Sequence, residues 1–478
     1  MLFNTLPFLL FLPSVLLIYW LLNKKSLEIQ NGWLLMVSYF FYACWDWRFL
    51  FLLLFSTGLD YFTGIKMHEA KDEKHRKFWF WLSISVNLGF LGIFKYYNFF
   101  ADSFAEALTN VGLHPNFWTL QVILPVGISF YTFHGLSYVI DIYKKRIEPE
   151  RNIITYSLFV SYFPLLVAGP IERATHLLPQ IKQRRVFNSD KAIDGLQQIV
   201  WGLFKKIVIA DSCALYANEI FNHYEHMNSL SLALGAVYFS FQIYGDFSGY
   251  SDIALGASKL FGIDLLRNFN FPYFSRDIAE FWRRWHISLS SWFRDYLYIP
   301  LGGSKGGLPS KVRNTFIIFI VSGFWHGANW TFVFWGALNA FYFLPLLLTN
   351  NNRNHIDIVA KGKKWPSIKE FAAILMTFSI TTFAWIFFRS ETIAKAFSYI
   401  KKLFQFDFTG KIQYLDIDRY TIELLGLLAF FIVMEWLSRE KEHPFFGKFQ
   451  MPRLIIIIIF ILIFGVYSEA SDFIYFQF

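Results

Sequence analysis

The sequence predicts an all-α polytopic integral membrane protein, and three observations support this prediction. Hydrophobic residues make up 55% of the 478 residues, the mean hydropathy is +0.37, and apolar segments of spanning length recur along the whole chain. A transmembrane helix needs about 17–25 largely apolar residues. Membrane β-barrel strands would instead alternate apolar and polar side chains, which these segments do not. We therefore expect about 10–12 helical passes in a single integral domain, residues 1–478.

The predicted helices follow one another with short polar connections. The apolar window 315–348 is long enough for two passes. Residues 152–170 contain Phe163-Pro164 and Gly169-Pro170, and we expect this segment to enter the membrane and return. Irregular backbone at that depth is tolerated only where it is buried in protein or lines a cavity. The windows are 6–22, 29–45, 49–65, 78–94, 118–140, 152–170, 196–216, 230–249, 315–348, 371–388, 420–437 and 454–468.

The charges predict the orientation. Lys24 and Lys25 follow the first window and no basic segment precedes it, which argues against a cleaved signal peptide and for an external N-terminus. The formal charge of +9 lies mainly in loops, as the positive-inside rule expects, and does not indicate nucleic-acid binding. Basic loops at 66–77, 144–151, 173–191, 276–313 and 353–369 would be cytoplasmic, and the C-terminus external. Loop 389–419 fits less well, because it is basic and would lie outside.

One histidine lies in a long apolar region. Residues 314–352 contain no Asp, Glu, Lys or Arg, and their single histidine is His326, in the segment Phe324-Trp325-His326-Gly327-Ala328-Asn329-Trp330. An imidazole at membrane depth is costly and usually faces a protein-lined cavity. Its unperturbed pKa suits proton transfer near neutral pH. The flanking aromatic residues predict an apolar pocket wall. The alternative is a structural histidine hydrogen-bonded to a neighbouring helix.

Residues 268–313 are too polar to span and too aromatic for an ordinary loop, so we predict an interfacial block on the cytoplasmic side. If residues 278–292 form one helix, Trp282, Arg283, His286 and Ser290 share a face. A cation, a titratable group and an aromatic ring together suit a phosphate-bearing cosubstrate that enters from the cytoplasm. The alternative is an interfacial helix whose Arg and Trp side chains anchor to lipid headgroups.

A second polar cluster occupies residues 242–252. Its two carboxylates, Asp246 and Asp252, could orient a histidine or hold the mouth of a cavity together. The alternative is structural hydrogen bonding around a helix break at Gly245 and Gly249.

The remaining histidines and the cysteines indicate no metal site. His134 lies in an apolar run and is more often structural than chemical. His223 and His226 have the spacing of metal ligands but lack a third ligand nearby. Cys44 and Cys213 provide neither a disulfide framework nor a metal site.

Several stretches, in order along most of the chain, resemble bacterial membrane-bound O-acyltransferases of the alginate O-acetyltransferase branch. The combination is far more specific than any one of its members. The stretches are Phe133-His134-Gly135-Leu136-Ser137-Tyr138, Phe163-Pro164-Leu165, Ala168-Gly169-Pro170-Ile171, Gly202-Leu203-Phe204-Lys205-Lys206, Tyr244-Gly245-Asp246-Phe247-Ser248-Gly249-Tyr250-Ser251-Asp252, Glu280-Phe281-Trp282-Arg283-Arg284-Trp285-His286, Arg294-Asp295-Tyr296-Leu297-Tyr298-Ile299-Pro300-Leu301-Gly302-Gly303 and Trp325-His326-Gly327.

The resemblance implies tilted helices around a central tunnel, with the acyl donor entering from the cytoplasm and the acceptor from the other side. It implies that His326 is the catalytic residue. It also implies that His286 lies on the cytoplasmic approach, and we expect His286 to take part in catalysis, where it, Arg283 or Asn329 could stabilise the oxyanion. His326 would deprotonate an attacking hydroxyl, and the thioester of acetyl-coenzyme A would be the electrophile. We expect no permanently bound cofactor and no metal. The residues expected to contact the donor or its oxyanion are Trp282, Arg283, Arg284, Arg294 and Asn329.

The chain ends with an aromatic tail, residues 469–478, which closes Phe473-Ile474-Tyr475-Phe476-Gln477-Phe478. This ending could be an aromatic belt at the membrane interface. It is also typical of the alginate branch, and a similar ending occurs on a small protein partner of D-alanyl-transferring relatives. We hypothesise that the extracytoplasmic tail carries Tyr475 into the tunnel, where it takes the acyl group and passes it to an external partner. A phenol with a pKa of about 10 needs a base, which His326 would supply.

The predicted function is therefore acetyl transfer, in a bacterial inner membrane, to a hydroxyl of alginate, another exopolysaccharide or peptidoglycan. An extracytoplasmic SGNH-type acetyltransferase or the export machinery would be the partner. The alternative is a transporter of a small acyl or glycan-related substrate, which would also explain polar residues at membrane depth. The internal repeats and paired broken helices of many transporters are not evident in the sequence. A non-catalytic scaffold would need neither histidine.

Overall fold

The computed structural model describes residues 1–113, 122–166, 169–409, 423–467 and 473–474. These residues form helices joined by turns and contain no β-strand within the ranges given, so the all-α prediction is confirmed. By their internal contacts they divide into two compact units. The first comprises residues 1–192 and 257–266, and the second comprises residues 193–256 and 267–478.

The first unit contains nine helices. Polar caps start several of them: Ser26, Asp46, Asp72 and Asn152 each accept a hydrogen bond from a backbone N–H of the first turn, which satisfies a donor that the helix leaves unpaired. The helices are α1 Leu6–Leu22, α2 Leu27–Ala43, α3 Trp47–Glu69, α4 Glu73–Leu91, α5 Tyr97–Asn110, α6 Ile128–Tyr143, α7 Ile153–Ser161, α8 Phe163–Leu166 and α9 Ala174–Ile181.

Two predicted windows of this unit differ from the structure. Residues 114–121 lie outside the described ranges. In the described part of the window 118–140, residues 122–140, the helix begins at Ile128, after the chain turns at Gly127 with a φ of 74°. The window 152–170 is interrupted, as its prolines suggest. Helix α7 ends at Ser161, Tyr162 has non-helical backbone angles, and α8 continues only to Leu166.

A buried carboxyl group organises the interior of the first unit. Asp60 accepts hydrogen bonds from Ser83 Oγ at 2.6 Å and from Asn87 Nδ2 at 2.7 Å, so α3 and α4 are joined by polar contacts. Helix α6 approaches the same carboxyl closely, since a Cβ on Gly135 would stand 2.0 Å from Asp60 Oδ2. A carboxyl at membrane depth is tolerated when neighbouring groups satisfy it in this way.

The second unit contains most of the remaining helical residues; the start of α10, residues 189–192, and the end of α12, residues 257–260, belong to the first unit. Helix α10 continues through a π-helix, Phe204–Ala210, into α11. The window 315–348 contains two helices, α15 and α16. Helix α16 is long and apolar enough to cross a membrane, and the second pass stays a prediction. The helices are α10 Ser189–Leu203, α11 Asp211–Asn222, α12 Ser229–Leu260, α13 Ile278–Arg284, α14 Ile287–Phe293, α15 Gly307–His326, α16 Trp330–Leu348, α17 Ile368–Arg389, α18 Ile393–Leu403, α19 Glu423–Ser438 and α20 Gln450–Phe464.

The alternative of a helix break at Gly245 and Gly249 is wrong, because α12 is continuous through both residues. These glycines serve close packing instead. A Cβ on Gly249 would stand 2.7 Å from the carbonyl oxygen of Gly202, and a Cβ on Gly202 would stand 2.5 Å from the carbonyl oxygen of Gly249. Small residues of this kind let the backbones of two membrane helices touch.

Five helical runs of the described chain are long and apolar enough to cross a membrane, namely Trp47–Glu69, Glu73–Asn110, Trp330–Leu348, Ile368–Arg389 and Gly447–Phe464. Helix α1 is a shorter apolar helix. Large apolar side chains such as Leu9, Phe371 and Leu462 are exposed on these helices, and an apolar outer surface of this extent needs lipid. The protein is therefore a multi-pass membrane protein. The exact number of passes, the single domain and the central tunnel stay predictions.

Candidate active site

His326 is the last residue of α15 and sits where α15 and α16 pack backbone against backbone. A Cβ on Gly323 would stand 2.2 Å from the carbonyl oxygen of Phe332, and a Cβ on Gly336 would stand 2.3 Å from the carbonyl oxygen of Phe319. Only glycine permits this approach. The two helices therefore form a tight hairpin that fixes the position of His326.

Aromatic rings surround His326, and it is only 3% exposed. The ring centroid of Trp335 lies 5.3 Å away and that of Phe388, on α17, lies 5.5 Å away, both in edge-to-face arrangements. The neighbouring Trp325 ring lies at 5.0 Å. The predicted apolar wall around this histidine is confirmed. In such an environment the imidazole is kept away from bulk water.

The predicted continuous helix over residues 278–292 is wrong. Helix α13 ends at Arg284, and His286 adopts a left-handed conformation with a φ of 44° before α14 begins. The polar segment 268–270 replaces the lost helical hydrogen bonds: the N–H of Ile287 donates to the carbonyl oxygen of Asn268 at 2.8 Å, and the N–H of Asn270 donates to that of Arg284 at 3.0 Å. The break removes His286 from the face that we predicted.

The side chain of Asn268 sets the tautomer of His286. Asn268 Oδ1 accepts from the N–H of Ser288 at 3.3 Å and from Ser288 Oγ at 2.9 Å, and it lies 3.0 Å from His286 Nδ1. Because the backbone N–H can only donate, the atom facing it is the amide oxygen. His286 Nδ1 therefore carries the proton in the neutral ring, and Nε2 is the basic nitrogen.

The two histidines flank one tryptophan. The ring centroid of His286 lies 6.0 Å from that of Trp325, the residue that precedes His326. On its other side His286 packs edge-to-face on Phe247 of α12, at 4.6 Å. The structure thus brings together the two histidines that the sequence singled out, within the second unit.

The other predicted site residues have different surroundings. Arg284 forms a buried ion pair with Glu280, and its Nη2 lies 2.8 Å from Oε1. Arg283 is exposed and donates to the backbone carbonyls of Asn352 and His355 at 2.8 and 2.7 Å.

Asn329 caps α16 by accepting from the N–H of Thr331, and its amide nitrogen donates to the carbonyl oxygen of Glu391 at 2.9 Å. Trp282 packs edge-to-face on Trp335, with ring centroids 5.6 Å apart. Arg283, Arg284 and Asn329 thus have structural contacts, and their predicted roles toward the donor stay predictions.

Arg294 lines a cavity of about 470 Å³ between α14, α15 and the end of α16, whose wall is part polar and part apolar. Three cationic side chains, Arg294, Lys311 and Arg353, contribute to the wall, together with Ser290 and Asn352. Arg294 also pairs with Asp295, with Nε 2.7 Å from Oδ1. A cavity with three cations and hydroxyl and amide donors fits a ligand that carries several phosphates.

The start of the C-terminal hexapeptide lies inside the second unit. Phe473 and Ile474 are 0% and 1% exposed. The Phe473 ring packs on Tyr250 at 4.6 Å and on Phe247 at 6.0 Å between ring centroids. Tyr475 and the rest of the predicted tail, residues 469–472 and 476–478, lie outside the described residues.

Sequence reasoning missed two buried lysines. Lys205 and Lys206 are 4% and 0% exposed and lie in the π-helix, in the window 196–216. Lys205 Nζ lies 3.1 Å from Asp252 and 3.1 Å from Glu435. Two adjacent cations in an apolar window were the available clue, since such residues are rarely buried without acidic partners.

Lys206 and the remaining polar candidates have structural contacts. Lys206 Nζ lies 2.7 Å from Asp211 and 2.9 Å from Asp246. Asp246 and Asp252 thus bind lysines. The sequence had left open whether they orient a histidine, hold the mouth of a cavity together or form structural hydrogen bonds, and their contacts are of the structural kind. In the first unit, His134 Nε2 accepts from the N–H of Glu172 at 3.0 Å, which is the structural role expected for it.

Comparison with known proteins identifies the chain. Residues 143–388 match the family described as MBOAT, membrane-bound O-acyltransferase family. The chain is 37% identical over 456 residues to a probable alginate O-acetylase of Pseudomonas syringae pv. tomato, covering 92% of this chain and 84% of that protein. It is 36% identical over 430 residues to a peptidoglycan O-acetyltransferase of Helicobacter pylori, covering 84% of this chain and 79% of that protein.

A more distant relative is a teichoic acid D-alanyltransferase of Bacillus subtilis, 27% identical over 280 residues, which cover 56% of this chain and 69% of that protein. The relatives that cover most of the chain are O-acetyl-transferring proteins, as the motifs around His134, Asp246, His286 and His326 had suggested. The chain belongs to the membrane-bound O-acyltransferase family, in its alginate O-acetylase-like branch, and is an O-acyltransferase.

Proposed function

We propose that this protein moves an acetyl group from cytoplasmic acetyl-coenzyme A toward a hydroxyl of an exported or cell-surface polysaccharide. The observation that carries the proposal is His326, a buried imidazole at the tip of a tight helical hairpin, with a second histidine, His286, near the same Trp325 ring. The relatives that cover most of the chain are named as acetyl-transferring proteins that act on alginate or peptidoglycan.

In the proposed chemistry, His326 accepts the proton of an attacking hydroxyl while the oxygen bonds to the thioester carbonyl carbon. The tetrahedral intermediate collapses, the C–S bond breaks, and coenzyme A leaves as the thiol after taking up a proton. His326 is thereby returned to its basic form. A positioned base of this kind contributes about 10²–10⁴-fold to the rate, and the apolar surroundings exclude competing water.

The cavity with three cations supports coenzyme A as the donor. Arg294, Lys311 and Arg353 lie around one space of about 470 Å³, and coenzyme A carries phosphates at one end and its thioester at the other. Guanidinium and ammonium groups bind phosphate oxygens by charge-assisted hydrogen bonds. We place the protein in a bacterial inner membrane, with this cavity on the cytoplasmic side and both termini outside.

The tail supports a relay through Tyr475. Phe473 and Ile474 are buried, and Phe473 packs on Phe247, whose other side contacts His286. Tyr475 is the next residue after Ile474. Its phenol would take the acetyl group with His326 as base. A phenolate is a better leaving group than an alkoxide, so transfer from the tyrosyl ester to a sugar hydroxyl is downhill. An extracytoplasmic partner of the SGNH-hydrolase type would complete that second step.

The experiment is intact-mass analysis of the detergent-purified protein after incubation with acetyl-coenzyme A. Wild type is compared with His326→Ala and Tyr475→Phe, and the modified residue is located by peptide mapping. The relay predicts one acetyl group on Tyr475 in wild type and none in either variant. Release of coenzyme A to a hydroxyl acceptor without any protein adduct would refute the relay and favour direct transfer. If the protein gains no acetyl group and releases no coenzyme A, acetyl-coenzyme A is refuted as the donor.

A further inference from the structure

Two consecutive lysines point into the protein from one π-helical turn, and they bind separate acidic groups. The segment Phe204–Ala210 is π-helical, and such segments are rare in helices and often occur at functional sites. Lys205 binds Asp252 and Glu435, and Lys206 binds Asp211 and Asp246. The two clusters are alike in composition, but only the Lys206 cluster contacts the C-terminal tail.

The Lys205 cluster connects helices. Glu435 on α19 also accepts from the hydroxyl of Tyr244 at 2.5 Å, and Asp252 on α12 accepts from Gln198 Nε2 at 3.0 Å. All these partners lie on α10, the π-helix, α12 or α19. This cluster thus has the contacts of a structural ion-pair network.

The Lys206 cluster also reaches the tail. Asp246 places Oδ1 2.9 Å from Lys206 Nζ, and its Oδ2 accepts the backbone N–H of Ile474 at 2.6 Å. Asp211 and Asp246 are 1% and 3% exposed. Two buried carboxylates around one ammonium leave an excess of negative charge, which a backbone N–H donor partly offsets.

The neighbouring rings form a slot for the residue before Ile474. Lys206 Nζ lies over the ring of Tyr250, 5.7 Å from its centroid, and the Phe473 ring lies 4.6 Å from the same Tyr250 ring. The ring of Phe247 closes another side at 6.0 Å. The tail is thus held at two adjacent residues, through the backbone N–H of Ile474 and the side chain of Phe473.

We propose that Asp246, oriented by Lys206, is the receptor for the C-terminal tail and acts as a positioning residue for Tyr475. By binding the N–H of Ile474 it fixes the backbone from which Tyr475 extends, while the Phe473 slot sets which residue enters. The part that concerns Tyr475 rests on the proposed relay. The docking itself does not depend on acyl transfer.

The test measures docking by hydrogen–deuterium exchange of the C-terminal peptide, read by mass spectrometry on the purified full chain. Loss of a hydrogen bond to a charged acceptor should accelerate exchange of the tail amides about 10- to 100-fold. We expect this acceleration in Asp246→Asn. The matched control is Asp252→Asn, which disturbs the twin cluster and should leave tail exchange within a few-fold of wild type.

A second pair of variants separates docking from damage to the core. Ile474→Pro removes the N–H that Asp246 accepts and leaves the buried cluster intact, so the remaining tail amides should exchange faster. Ile474→Val keeps the N–H and should behave like wild type. Wild-type exchange rates in both Asp246→Asn and Ile474→Pro would overturn the proposal.

Acetylation of Tyr475 is measured on the same samples. We expect it to fall at least 10-fold in Asp246→Asn and in Ile474→Pro, and to persist in Asp252→Asn and Ile474→Val. If tail exchange follows the prediction but wild-type Tyr475 never carries an acetyl group, the receptor stands and the relay is refuted. If Tyr475 is acetylated equally in all variants, Asp246 does not position it.

Discussion

The close contact between α15 and α16 gives the sharpest structural prediction, because His326 depends on it. In Gly336→Ala the new Cβ would stand 2.3 Å from the carbonyl oxygen of Phe319 and 3.2 Å from the Cα of Ile320. Both neighbours are backbone, so no side chain can move aside. The helices must separate by about 1 Å to restore an ordinary contact, and overpacking of this kind costs about 1–3 kcal/mol.

The same separation acts on catalysis. A displacement of about 1 Å at a reacting group can cost on the order of 10²-fold in rate, so we expect Gly336→Ala to lose about that much activity while it remains folded. The assay is coenzyme A release from acetyl-coenzyme A alongside the thermal midpoint in detergent. The control is Gly58→Ala in α3, where a Cβ meets nothing within 4 Å and alanine favours the helix by about 1 kcal/mol. Unchanged rate and midpoint in Gly336→Ala would refute the argument that this contact positions His326.

Three further predictions follow from buried and surface charges. Lys205→Met leaves the buried carboxylate of Glu435 and the half-buried carboxylate of Asp252 without their cation and should destabilise the protein by about 3–5 kcal/mol; a thermal midpoint equal to wild type would contradict this. Lys311→Gln and Arg353→Gln should each raise the KM for acetyl-coenzyme A about 5- to 10-fold and leave the KM for acetyl-pantetheine, which lacks the nucleotide phosphates, unchanged. An equal rise for both donors would argue against phosphate binding in this cavity. The hydrogen bond to Glu172 raises the pKa of His176. The stability that this hydrogen bond adds is therefore complete below the ordinary histidine pKa of about 6.5 and is lost as the pH rises through the higher pKa of the folded state. His176→Gln should remove this part of the pH dependence of the thermal midpoint, and an unchanged pH profile would contradict the prediction.

The sequence was sufficient to predict most helices and to single out His326, whose catalytic role stays a prediction. Long apolar windows identify membrane helices because the bilayer fixes their length. A lone histidine in residues 314–352 is visible without knowledge of the fold, because polar groups at membrane depth are rare. The helical hairpin that holds His326 followed from the length of the window 315–348.

The break at His286 could not be predicted from local pattern. Residues 278–292 have helical spacing, and the competing hydrogen bonds come from Asn268 and Asn270, which are distant along the chain from the groups that they bind. Tertiary contacts of this kind override local propensity. The resulting left-handed backbone at His286 is a property of the packed structure.

The burial of both Lys205 and Lys206 could likewise not be predicted from the local sequence. Helical periodicity of 3.6 residues turns adjacent side chains away from each other, and the π-helix that changes this relation has no recognised sequence pattern. The position of the tail was also undecided, because Phe473 and its aromatic neighbours suit a membrane interface as well as an interior slot. The hydrogen bond from the N–H of Ile474 to Asp246 places this part of the tail in the interior.

The central claim is that His326 is the base for acyl transfer, and its most direct test is coenzyme A release by His326→Ala against wild type and a His355→Ala control, a loop histidine. All three proteins are first shown to have equal thermal midpoints. We predict that His326→Ala releases coenzyme A at least about 10²-fold more slowly, while His355→Ala retains the wild-type rate. A folded His326→Ala protein that transfers acetyl groups at the wild-type rate would contradict the account.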